Sequence, residues 1–168
     1  NMESTVVLMN FTHVYEQEIF ANSFYHRWVD CTDLTGTNCF CDATSASTIM
    51  KRINSYSPEG IHFIDSGNYH YVTEIMTSQI QKEFQLVVFD HHTDMQKPMI
   101  EHMTSCGDWA EKVLETNPWL QQLVLIGPQA KDIEQLYREK DGLMNRKEIS
   151  EKLLTFSAEE IHTREDKN

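Results

Sequence analysis

Apolar and polar positions along this chain fall into blocks that switch between two periods. Five short blocks are β-branched, alternating or continuously apolar, as strands are. They are Thr5-Val6-Val7-Leu8-Met9, Trp28-Val29-Asp30-Cys31, Ile61-His62-Phe63-Ile64-Asp65 after a turn at Pro58 and Gly60, and the runs over 85–89 and 122–126. The last two are apolar almost throughout, the pattern of parallel strands covered on both faces. Helical spacing fills the intervals. Over 43–53, Ile49, Met50 and Ile53 share a stripe, with Asp42 or Thr44 as the N-cap. Over 71–84 the stripe is Val72, Ile75, Met76, Ile80 and Phe84. A third helix opens at Gly107 or Asp108 and runs through Trp109, Val113 and Leu114 to the turn at Asn117-Pro118. Further helices are predicted over 131–140, with Ile133, Leu136 and Tyr137, and over 148–156.

From residue 61 the order is strand, helix, strand, helix, strand, helix, and the expected strand starts lie 24 and 37 residues apart. Those intervals suit crossover connections, which make neighbouring strands parallel. The fold class is therefore α/β with a mainly parallel sheet, in a single domain over 1–168. Residues 129–168 read as a charged helical region with a frayed end at 163–168.

Charge narrows the function classes. The 168 residues carry a formal charge of −12, and residues 1–128 hold 16 acids against 6 bases. That excess argues against nucleic-acid binding, which needs lysine and arginine facing phosphate. It serves solubility, or else some of the carboxylates hold a metal. The apolar runs are too short to cross a bilayer, and no secretory-signal pattern marks the N-terminus. Cys31, Cys39, Cys41 and Cys106 lack paired CxxC spacing. They read as reduced thiols of a cytoplasmic protein, with a disulfide or a zinc site as the alternatives.

In parallel sheets, chemistry gathers in the loops that leave the C-terminal strand ends. One such loop is Asp65-Ser66-Gly67-Asn68-Tyr69-His70, where Gly67 permits a tight turn and His70 starts the next helix. The other is Phe89-Asp90-His91-His92-Thr93-Asp94-Met95, in which four of five consecutive residues from Asp90 are carboxylate or imidazole. In extended chain Asp90, His92 and Asp94 fall on one side, with His91 on the other. Imidazole with carboxylate suits manganese, iron or zinc. Burying such a group of ionisable side chains without a cation is costly. The competing reading is a solvated turn or an Asp–His hydrogen-bond cluster.

The Asp90-x-His92-x-Asp94 motif after an apolar strand resembles the first aspartate motif of the ureohydrolases, the arginases, agmatinases and formiminoglutamases. Gly67-Asn68-Tyr69-His70 is similar in place to that family's Gly-Gly-Asp-His loop. The resemblance spans roughly residues 60–130. It implies a three-layer α/β/α sandwich of the arginase type and two manganese ions, His70 and Asp94 on one, His92 on the other, and Asp90 bridging. It implies hydrolysis of a linear C–N bond in a small guanidino, amidine or amide substrate, by a hydroxide held between the metals and oriented by the catalytic Asp94. The family's later Asp-x-Asp motif is absent from these residues, which implies the N-terminal part of a longer domain. The region Thr104-Ser105-Cys106-Gly107-Asp108-Trp109 also lacks the histidine of the family's Ser-Gly-Asn-x-His stretch, and Asp108 reads as an N-cap there.

Two other functions compete. One is a non-catalytic arginase-like fold or fragment with an incomplete metal site. The other is a manganese phosphoesterase of the Asp-His-His type, which Phe89-Asp90-His91-His92 resembles; that family's earlier His-x-Asp-x-Asp-like motif has only His62-x-x-Asp65 as a counterpart, which lies too close. A homo-oligomer completing the site with a partner's strand is left open. The turn-rich stretch 31–42 reads as a lid, or as an ordinary loop capped by Asp33 and Asp42. Trp28, Trp109 and Trp119 read as packing residues.

Overall fold

In the computed structural model, which describes residues 5–97, 100–139 and 142–165, the apolar run Val7-Leu8-Met9 is completely buried. It forms the centre of β1 (Val6–Asn10), flanked in parallel by β2 (Arg27–Asp30) and β4 (Ile61–Ile64) in the order β2-β1-β4. Chain contacts divide the molecule into two compact units: residues 1–79 with 98–106, and residues 80–97 with 107–168.

In the first unit, α1 (Ala43–Ile53) has the expected bounds. The Asp42 carboxylate accepts the Ser45 N–H at 2.7 Å, one of the orphan donors of the first turn, and Ile49 and Ile53 are buried. The helix expected over 71–84 is shorter. It is α2 (Val72–Thr77), which packs against α1. The Thr77 hydroxyl donates to the carbonyls of Thr73 and Glu74, and that of Ser78 donates to Ile75, local bonds of the kind that compete with helix continuation. A short antiparallel pair, β3 (Phe40–Cys41) with β6 (Thr104–Ser105), has no counterpart in the sequence reading. A disulfide joins Cys39 to Cys106 beside it, which corrects the expectation of four reduced thiols. Cys31 and Cys41 are free and buried.

In the second unit, β5 (Phe84–Phe89), β7 (Leu120–Ile126) and β8 (Leu153–Phe156) form a parallel sheet in the order β5-β7-β8. Its core is Leu120, Leu123 and Leu125 of β7, against which α3 (Trp109–Thr116) packs while burying Trp109, Ala110, Val113 and Leu114. The helix expected over 131–140 is α4 (Ala130–Arg138); Lys140 lies outside the described residues. Three departures stand out. The helix expected over 148–156 is one short turn, α5 (Lys147–Ser150), followed by β8, because Leu153 to Phe156 pair with the second side of β7. The strand β5 is not covered on both faces: it stands at a sheet edge, where Val87 is 50 % and Phe89 78 % exposed. Finally, β4 pairs with β1 and β5 with β7, so of the two crossovers expected only the second joins sheet neighbours among the described residues. The last element among the described residues is α6 (Ala158–Glu165). The class is α/β with mostly parallel pairing, the β3–β6 pair being antiparallel.

Candidate functional site

Asp90, His92 and Asp94 all lie in the loop that leaves β5, within the second unit. The ladder runs one residue past the strand, since the Asp90 N–H donates to the Ile126 carbonyl at 3.0 Å. Beside it, Gly127 donates its N–H to Phe156 at 2.9 Å and adopts φ 113°, a conformation that only glycine takes readily. A Cβ there would lie 2.7 Å from the Asp90 carbonyl oxygen. Glycine is what lets β7 close against the root of the loop.

The loop then turns instead of staying extended. Asp90 Oδ1 accepts the His92 N–H at 2.9 Å, an aspartate turn, and His92 Nδ1 stands 3.5 Å from the same oxygen. Strand-like alternation therefore does not govern these side chains. His91 and His92 are both exposed, whereas Thr93, Asp94 and Met95 are buried. Asp94 takes φ 52°, and its main-chain carbonyl accepts the Ala110 N–H at 3.1 Å. Its Oδ2 accepts the indole N–H of the fully buried Trp109 at 2.7 Å. An oxygen of Asp90 and an oxygen of Asp94 lie within 4.8 Å of each other. Two oxygens bound to one divalent cation at roughly 2.0–2.6 Å are separated by at most about 4–5 Å. The two hard carboxylates, one of them buried, thus fit a small divalent ion in donor chemistry and in spacing.

His70 belongs to the first unit. It follows the single turn Gly67–Tyr69, is half-buried, and donates its backbone N–H to the Gly67 carbonyl at 3.2 Å. The left-handed residue of its loop is Asp65, at φ 50°, and not Gly67. The Asp65 carboxylate accepts the N–H groups of Phe11 and Thr12 at 2.8 and 2.9 Å and the Thr12 hydroxyl at 2.8 Å. That carboxylate holds the loop after β1, a structural role the sequence did not suggest. It is thereby committed to main-chain donors, so it offers little to the phosphoesterase reading.

Other expectations resolve locally. Asp108 precedes α3 but makes no side-chain cap; it is buried and stands 3.8 Å from Lys112 Nζ. The stretch 31–42 is tied down: Asp33 pairs with Arg52, the Thr37 carbonyl accepts the Tyr71 hydroxyl, and Cys39 donates its N–H to Asn68. The segment after β8 holds no Asp-x-Asp among the described residues and leads directly into α6, where Ser157 and Glu160 bond to each other in a reciprocal N-cap. Asp141 and Asp166 lie outside the described residues. Sequence reasoning missed a cavity of about 450 Å³ in the second unit, lined by Met95, Lys97, Glu111, Glu115, Glu139 and Arg146 among others. Burial, then the neighbouring Glu115, Asp108 and Glu139, push the Glu111 carboxyl up to about 7. Its helical spacing to Glu115 was visible, but the distant Glu139 was not.

No family model matches this chain, and no solved structure does. A protein of Thermotoga maritima described as uncharacterized is 32 % identical over 73 residues, which are 44 % of this chain and 29 % of the relative. The match thus spans less than a third of the relative's length, and the similarity carries no named activity with it. Among the described residues no helix is long and apolar enough to cross a membrane.

Proposed function

We propose that the loop after β5 is a divalent-metal centre, manganese being the ion its donors suit best, in an arginase-like α/β fold that hydrolyses a linear C–N bond of a small guanidino, amidine or amide substrate. The observation that carries this reading is the convergence of Asp90 and Asp94 oxygens within 4.8 Å, at the C-terminal end of a parallel strand, with Asp94 buried. His92 adds an imidazole beside Asp90. A bound metal pair would acidify water and polarise the trigonal carbon under attack. The chain's own part is positional. Asp90 is held by the β7 ladder and by the His92 N–H, Asp94 by Trp109 and Ala110, so the carboxylates keep their place while charge develops nearby.

The test is metal content: incubate the chain with manganese, dialyse, and count ions by elemental mass spectrometry. About two ions per chain supports the dinuclear site and directs substrate trials to guanidino and amide compounds. One ion, lost in Asp90→Ala and in Asp94→Ala, supports a mononuclear site. No retained ion overturns the metalloenzyme reading. A specific observation favours the non-catalytic alternative as the second reading: among the described residues no Asp-x-Asp follows a strand, and that alternative expects no turnover even where metal is bound.

A further inference from the structure

Resting on the metal reading above, we propose that Trp109 is a positioning residue for Asp94, fixing the direction in which that carboxylate meets the cation. The two residues are 15 apart in sequence, and both are buried, at 0 % and 6 % exposure. A buried indole N–H needs an acceptor, and here the acceptor is a carboxylate oxygen at 2.7 Å, the geometry of a charge-assisted hydrogen bond.

The bond does more than satisfy a donor. A carboxylate gripped by one oxygen no longer rotates about its Cβ–Cγ bond, so the direction of its second oxygen is set as well. The backbone reinforces this. Ala110, the residue after Trp109, donates its N–H to the Asp94 carbonyl at 3.1 Å, and Gln96 donates to Gly107 at 2.9 Å. The start of α3 therefore clamps Asp94 at main chain and side chain together, while Asp94 itself holds φ 52°. Groups that orient a metal ligand in this way typically change metal affinity about 10- to 100-fold when removed.

The experiment uses the whole chain, with zinc and manganese ions alone as probes. The chain has three tryptophans, at positions 28, 109 and 119, hence three indole N–H cross-peaks in a ¹H–¹⁵N spectrum. Trp28→Phe and Trp119→Phe, at partly exposed positions, each remove one peak, and the peak that persists in both is that of Trp109. On titration with diamagnetic zinc the expected result is movement of this peak while those of Trp28 and Trp119 stay in place. Free manganese measured by electron paramagnetic resonance should show Trp109→Phe weakening binding at least tenfold, with unchanged far-ultraviolet circular dichroism, and Asp90→Ala abolishing it. If Trp109→Phe fails to fold, the wild-type indole titration decides alone. A stationary Trp109 peak while metal binds, or a folded Trp109→Phe binding manganese as tightly as wild type, overturns the positioning role and leaves the metal reading standing. A wild-type chain that binds neither ion overturns both.

Discussion

Replacing Gly127 by alanine probes how tightly the candidate site is built into the sheet. Two costs are visible at this position. Alanine would have to adopt φ 113°, and residues held in such sparsely populated conformations cost about 1–3 kcal/mol each. Its Cβ would also meet the Asp90 carbonyl at 2.7 Å, well inside ordinary contact, and the obstacle is backbone rather than a yielding side chain. Overpacking of this kind costs about 1–3 kcal/mol. Neither strain relaxes easily, because Gly127 donates to Phe156 of β8 while Asp90 donates to Ile126 of β7. The expected loss is about 4 kcal/mol, the middle of those two ranges combined. For a chain of this size it corresponds to a fall of roughly 8–16 °C in Tm. Urea denaturation followed by tryptophan fluorescence measures it, Trp109 and Trp119 both lying in the second unit. Gly67→Ala is the control. It has no left-handed φ and nothing within 4 Å of the added Cβ, so its stability should change by less than about 1 kcal/mol. A Gly127→Ala midpoint as close to wild type as that of Gly67→Ala would refute the argument that this close approach shapes the root of the candidate loop.

Two further outcomes are expected. Denatured without reductant, the chain should expose two reactive thiols, Cys31 and Cys41, and four after reduction; four from the start would remove the Cys39–Cys106 bond. In the native state the two should react slowly, since burial pushes each thiol up to about 11, and reduction should cost about 4 kcal/mol for a bridge spanning 67 residues. Glu111 gives a pH signature. Its carboxyl is raised from 4.5 to about 7 in the folded chain, so the neutral acid contributes stability that is present in full below pH 4.5 and lost as pH rises through 7. Glu111→Gln should therefore be more stable than wild type at pH 8, with the advantage vanishing towards pH 4.5. Parallel stability curves for the two proteins would contradict the shift.

What could be read from the sequence was whatever is decided within a few residues. The bounds of α1 follow from Asp42 bonding to Ser45 three residues on and from Ile49 and Ile53 falling on one stripe. The runs of β5 and β7 are apolar enough to announce strands wherever they pair, and the Asp90-to-Asp94 loop follows directly from one of them. What tertiary structure decided is different in kind. Leu153 to Phe156 form a strand because β7 has a second side to pair with, and three apolar residues and a threonine beside lysines and glutamates cannot express that. Val87 and Phe89 are exposed because, with Gln85, they share the face of β5 that is left open among the described residues, which depends on what packs there and not on the strand itself. The candidate site divides in the same way. Its carboxylates and imidazoles were legible as a spacing. That Asp94 turns inward onto an indole while His92 turns outward to solvent was not legible, because a turn centred on Asp90 replaced strand alternation. Periodicity reports which face a residue shares with its near neighbours. Partners such as Trp109 with Asp94, or Cys106 with Cys39, meet only after the chain has closed loops of 15 and 67 residues, and nothing local records which closures the whole fold makes favourable.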